Sequence, residues 1–279
     1  MSLTARQLNR ATLDRQLLLR REPVVVLDAV HRVAVLQAQE AASPYLALWN
    51  RLTTFDPAKL DTAFAEQSVV KASLIRTTLH AVHAKDYPAF HTALEPALRA
   101  SRLDDRRYSS AGLSTADADE FLPHLLEFAA QPRTKTEVDA LVESRLGKPQ
   151  PFLWWALRTF APLVHSPTGG PWSFGPRPSY VTARTGPRTL DRDESIQELA
   201  RRYLQAFGPA TSRDFAQFTR LAQTRARTAL RALTDGMPKL EGPDGIDLFD
   251  VPGCVCAGRG HPGSPQADGD VGQRPARLR

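Results

Sequence analysis

Three helical stretches followed by two short β-prone stretches around a tight turn run from Glu194 to Asp250, and this order leaves few folds open. In Glu194 to Phe207 the apolar residues Ile196, Leu199, Tyr203 and Leu204 recur at helical spacing. Gly208-Pro209 stops the run, and Thr211 or Ser212 caps a second helix, Arg213 to Leu221, with Asp214 suited to its first turn. A third helix, Gln223 to Thr234, carries Arg225, Arg227 and Arg231. Residues 238–250 then read as two short strands around Gly-Pro-Asp-Gly. Three helices and a hairpin make the winged form of the helix-turn-helix.

The same order is legible upstream. Thr115 to Ala130, Thr134 to Arg145 and Gln150 to Phe160 read as helices, followed by a Pro/Gly-rich stretch with Trp172 and Phe174 that ends at Tyr180-Val181. Trp154 and Trp155 read as core. The first hundred residues fit more loosely. Helices are expected from Leu3 to Leu18, from Val25 to Val35 and, behind Asp56-Pro57, to Gln67, with a β-rich stretch from Val69 to His83 and a helix from Asp86 to Leu98. Polar, arginine-rich Ser101–Gly112 reads as a linker.

The predicted fold is therefore mainly α with small β-hairpins, an α+β chain of three tandem winged helix-turn-helix units. Their expected bounds are 1–100, 113–182 and 190–252, with a disordered tail at 253–279. Beyond Val251 almost no large apolar side chains remain among many glycines and prolines, so no core can form there. The composition predicts a C-terminally truncated chain whose tail is read out of frame. Cys254, Cys256 and His261 in that tail lack a fourth ligand, so neither a zinc site nor any other metal is expected.

A net charge of +6, carried mostly by arginine, favours a polyanionic partner, because guanidinium grips phosphate bidentately. No apolar run approaches the length of a membrane span, and the N-terminus lacks the apolar stretch of a signal peptide. These features predict a soluble cytoplasmic protein; association with the nucleoid, a monomeric state and no cofactor are further expectations.

Within the first unit, Gln37-Ala38-Gln39 follows an apolar helical run and precedes Pro44. On a helix, residues two apart point to nearly opposite sides, whereas on an extended segment they share one. The helix is expected to end near Leu36, leaving Leu36 and Ala38 inward and both glutamines outward. The structural alternative is a pair of surface glutamines at a helix end. Arg76, Thr77 and His80 read equally as a polar strand face or as the lining of the same cleft.

Leu36-Gln-Ala-Gln39 with Ser43-Pro-Tyr-Leu-Ala-Leu-Trp49, Ile75-Arg-Thr-Thr-Leu-His80 and Arg202-Tyr-Leu-Gln-Ala-Phe-Gly-Pro-Ala-Thr211 together resemble the bacterial winged-helix DNA glycosylases of the AlkZ type. The resemblance covers about residues 3 to 252. It implies excision of alkylated bases and unhooking of interstrand crosslinks in damaged double-stranded DNA, with Gln37 and Gln39 in the catalytic centre. A sister branch has aspartate where this chain has Gln39. The family's C-terminal β-rich region has no counterpart after Val251. DNA contacts are expected from Arg76, Thr77, His80, Arg225, Arg227 and Arg231. The alternatives are a non-enzymatic, regulatory DNA-binding protein and an inactive truncated family member.

Overall fold

The computed structural model describes residues 2–184, 191–235, 237 and 240–252. The tail expected to be disordered, with Cys254, Cys256 and His261, lies outside the described residues.

Helix α1 (Ala5–Arg15) opens the chain under a Thr4/Gln7 capping box. The first repeated set then runs α2 (Val26–Arg32), β1 (Leu36–Gln37), α3 (Ser43–Arg51), α4 (Pro57–Ala65), β2 (Val69–Ser73) and β3 (Leu79–His83). Two linking helices follow, α5 (Tyr87–Leu103) and α6 (Arg106–Ser110). The second set is α7 (Thr115–Phe128), β4 (Arg133–Thr134), α8 (Lys135–Leu146), α9 (Pro151–Phe160), β5 (Leu163–Ser166) and β6 (Ser179–Thr182). The third is α10 (Arg192–Phe207), α11 (Ser212–Thr219), α12 (Gln223–Leu233), β7 (Leu240–Glu241) and β8 (Asp247–Leu248).

The sets share one topology. The first two are helix, strand, helix, helix, strand, strand, with the short first strand paired to the last: sheet orders are β1-β3-β2 and β4-β6-β5, all antiparallel. In the third, a single antiparallel bridge between Ala210 and Phe249 stands where that first strand lies in the others. The chain is thus a mixed α and β fold with small antiparallel sheets.

Several sequence expectations are corrected. Helix α2 stops at Arg32, not near Leu36, because Ala34 adopts a left-handed φ of 65° after the β-branched Val33. Helix α3 was not anticipated, although Pro44 can open a helix as well as end one. Pro44 sits in its first turn, where the missing N–H would have no intrahelical partner anyway. The stretch read as a linker, Ser101–Gly112, is the end of α5 and all of α6. Its Tyr108 is fully buried and donates to the Ser114 carbonyl at 3.0 Å.

Helix α5 packs against α9 and α10 and joins the three sets through one large core. A smaller core lies under α2, α3 and α4. The sheet β1-β3-β2 separates the two. Val70, Ala72 and Val82 belong to the large core, while Leu36, Ala38, Val69 and Ala81 belong to the small one. Buried ion pairs add to the packing. Arg202 of α10 meets Asp86 at 3.1 Å and also donates to the His31 carbonyl, clamping α10 to the start of α5 and the end of α2. Trp154 is buried in the large core, as expected, and Trp155 packs half-buried at its edge.

Candidate active site

The glutamines lie on an extended segment. Leu36 and Ala38 are buried while Gln37 and Gln39 are exposed, the alternation expected of a strand with one covered face. The register sets Gln37 opposite His80. One residue on, the Ala38 N–H donates to the Leu79 carbonyl at 2.8 Å. The Leu79 N–H in turn donates to Gln39 Oε1 at 3.4 Å. A backbone donor therefore sets which end of the Gln39 amide faces the sheet, and the NH₂ end faces away.

The segment departs from the repeated pattern. In the second set β4 runs straight into α8, and Thr134 caps the helix. In the third, Ala210 is followed at once by the capping Thr211. In the first set, five residues, 38–42, intervene before α3, which starts without a side-chain cap. Gln37 closes β1, and Gln39 lies in this extra stretch, which bends and turns into α3.

Beside it, β2 and β3 are joined by a single turn of tight helix over Ile75–Thr77. Arg76 and Thr77 both take left-handed backbone, φ 53° and 62°. Non-glycine residues in that region cost on the order of 1 kcal/mol each, and here buried Leu74 and Ile75 anchor the turn. The turn leaves Arg76 exposed and sets Thr77 at a cleft. His80 faces the interior, 5% exposed, with Nδ1 3.0 Å from the Thr78 carbonyl. Burial pulls its pKa down to about 4, against the raising effect of that carbonyl, so the ring is neutral at pH 7.

The cleft, about 540 Å³, opens between the first and second sets. Gln39, Glu40 and Thr77 line it, with Lys71 from β2, Arg102 from α5, Arg158 from α9 and His165 from β5. Lys71 is 5% exposed, and its Nζ lies 4.4 Å from the centroid of the Phe174 ring. Burial lowers its pKa, with Glu40 acting the other way. Arg102 donates from Nε to Thr159 Oγ1 at 3.0 Å and stacks 4.5 Å over Trp155, whose ring also meets Arg107 at 4.8 Å. Burial and then the neighbouring Arg158 and Arg107 lower the Arg102 pKa. His165 is pushed down to about 3 by burial, then by Lys71 and Arg158. Among the described residues none of Lys71, Arg102 and Arg158 forms an ion pair, and Glu40 is the only carboxylate among the lining residues. The cleft carries a net positive charge.

The structure brings Gln39 and Thr77 to this cleft, with Gln37 two residues before Gln39 on the edge strand. Arg225, Arg227 and Arg231 are exposed on α12 and border other hollows. Arg225 lies 3.4 Å from Asp193 of α10. Arg227 and Arg231 border a hollow that includes Asp214 and Asp247. Sequence reading missed Glu40, Lys71, Arg102, Arg158 and His165. Lys71, a lone charge inside Val69-Val70-Lys71-Ala72, was the one legible signal; Arg102 was hidden in the supposed linker.

A family model described as DNA glycosylase AlkZ-like matches residues 30–270, most of the chain. The chain belongs to the AlkZ-like DNA glycosylase family. The fold is similar to a solved structure, the Streptomyces sahachiroi DNA glycosylase AlkZ, with a TM-score of 0.75 at 20% sequence identity. That match covers 90% of this chain and 71% of the other. A search of curated proteins found no match. Membership in this family places the chain among DNA-binding hydrolases of DNA repair. No helix among the described residues is long and apolar enough to cross a membrane.

Proposed function

We propose that the chain is a monofunctional DNA glycosylase that hydrolyses the N-glycosidic bond of N7-alkylated purines, including those in interstrand crosslinks, in double-stranded DNA. Gln37 and Gln39 position the attacking water. The observation that carries this reading is the Gln39 amide, held by the Leu79 N–H at the wall of a basic cleft. One lone pair of Oε1 takes the Leu79 proton, and the second is left for a water. The edge-strand position of Gln37 adds a second amide two residues away.

The chemistry suits the residues. A purine alkylated at N7 is already cationic, so it departs without a general acid. What remains is orienting water and stabilising an oxocarbenium-like sugar. His80 is neutral and buried, which suits a site without imidazolium catalysis.

In this reading the three sets are winged helices of a monomer at the nucleoid, with the unit bounds 1–100, 113–182 and 190–252. Arg76 and Thr77 meet the strand at the cleft, His80 supports the Gln37 strand from across the register, and Arg225, Arg227 and Arg231 meet flanking duplex. The test is release of base from duplex DNA carrying N7-methylguanine. Wild type is expected to release it, and Gln37→Ala and Gln39→Ala to do so about 10²-fold more slowly with binding retained. A wild type that binds DNA in a salt-sensitive way yet releases no base rejects the hydrolase and leaves the non-enzymatic binder.

A further inference from the structure

Lys71 is a cation in a place where cations are costly. It sits on β2, an outer strand of the sheet β1-β3-β2, 5% exposed, with no ion pair and no hydrogen-bond acceptor among the described residues. Its Nζ lies over the face of Phe174, and the Glu40 charge favours it from within the same cleft. A charge buried this way disfavours the fold by several kcal/mol unless something compensates it. The same cleft holds two further cations: Arg158 lowers the pKa of Arg102, and Lys71 and Arg158 both depress that of His165. Three like charges against the single carboxylate of Glu40 are a site that lacks its anion.

The side chains are also held ready. Thr159 takes the Nε proton of Arg102, and Trp155 stacks on its plane, which leaves both terminal nitrogens without a protein acceptor among the described residues. That edge is the one that grips a phosphate bidentately. Arg158, exposed on α9, flanks it.

We propose that Lys71, Arg102 and Arg158 form a phosphate seat. It holds one backbone phosphodiester of the damaged strand, next to the nucleotide presented to Gln39 in the same cleft. The proposal rests on the DNA reading above and adds to it the point at which the strand is gripped. Phosphodiester is the anion that fits, because the cleft is open at its mouth and shared with the amide proposed to act on the sugar of the same strand. The seat binds the backbone and leaves the base free to be drawn out of the stack.

The experiment measures the salt dependence of binding to lesion-bearing duplex for wild type, Lys71→Met and Arg158→Gln. Each substitution is expected to lower the slope of log K against log salt by about one and to weaken binding about tenfold at ~0.1 M salt, uniformly across sequences. Arg158 is exposed, so its variant remains informative if Lys71→Met misfolds. A second arm replaces single phosphates around the lesion by neutral methylphosphonates. Wild type is expected to lose about tenfold at one position beside the lesion, and the two variants nothing further there. Unchanged slopes in both variants overturn the seat. So does a methylphosphonate loss that persists in full in both variants, or slopes that fall with no single sensitive linkage beside the lesion. Inorganic phosphate competing at millimolar concentration with wild type but not with Arg158→Gln supports the seat; equal competition with both overturns it. Base release is scored separately. Falling slopes without base release reject the glycosylase and keep the seat, and base release with unchanged slopes does the reverse.

Discussion

Arg15 and Asp250 form a buried two-point ion pair, Nη1 to Oδ1 and Nη2 to Oδ2 each at 2.7 Å, joining the end of α1 to the segment after β8. Arg15 Nη1 also donates to the Leu204 carbonyl at 2.6 Å. One guanidinium thus ties α1, α10 and the last described strand together. Removing one partner of such a pair leaves the other charged and desolvated. Asp250→Asn is expected to lower unfolding free energy by about 3–5 kcal/mol, read from urea denaturation. A loss below about 1 kcal/mol would show that the pair does not hold α1 to the segment after β8.

Gly208 sits against that pair. A Cβ there would lie 2.5 Å from Arg15 Nη1, 2.6 Å from the Leu204 carbonyl oxygen and 2.8 Å from Asp250 Oδ1. The backbone φ of −68° is open to any residue, so space, not conformation, requires glycine. Gly208→Ala is expected to destabilise by about 2 kcal/mol or more. Combined with Asp250→Asn it should cost clearly less than the two single losses together, because both act on the same pair.

Acid should unfold this protein earlier than its carboxylates alone would. His80 and His165 have folded pKa values lowered to about 4 and about 3, against 6.5 when unfolded. Between those values the unfolded chain binds the extra protons, so stability is complete above pH 6.5 and falls as pH drops toward 4. For His80 alone the loss is on the order of 3 kcal/mol. His80→Gln should flatten the melting temperature between pH 6.5 and 4; an unchanged profile would place the titration elsewhere.

Tyr45 of α3 bonds Asp61 of α4 and, at 2.8 Å, Ser173 in the loop between β5 and β6. Burial raises the pKa of the phenol, with the Asp61 hydrogen bond adding to it, so it stays a donor throughout the working range. Tyr45→Phe removes that donor while Ser173 still reaches Asp61, and is expected to cost about 1–2 kcal/mol in thermal or urea unfolding. Excision of base at saturating enzyme should be unchanged.

On α12, Arg227→Ala and Arg231→Ala are expected to weaken duplex binding about three- to tenfold at low salt, alike for damaged and undamaged DNA, with single-turnover excision unaltered. Binding that is insensitive to both would leave α12 as scaffold.

The helical sets were legible because helix starts and stops are local. Thr211, Thr134 and Asp56 cap the helices expected of them, and Gly208-Pro209 ends α10. The alternation around Gln37 and Gln39 was legible for the same reason: buried Leu36 and Ala38 leave an extended segment only one way to turn. Helix α3 was lost because Pro44 carries the same letter whether it ends a helix or begins one. Of the cleft, only Gln39, Thr77 and the lone charge of Lys71 left a trace in the sequence. Lys71, Arg102, Arg158 and Gln39 come from β2, α5, α9 and the edge of β1, and only the docking of the first two sets makes them neighbours. No spacing along the chain records that meeting.

The sheet that carries the glutamines has hydrophobic core on both sides, Val70, Ala72 and Val82 toward one and Leu36, Ala38 and Ala81 toward the other. Re-aiming its edge would open one of those interiors, so the site behaves as an anvil and not as a jaw. In the function proposed above, any yielding then comes from the duplex. Discrimination would follow how cheaply a given stretch of double helix bends and gives up a base, which is least costly where damage has already loosened it.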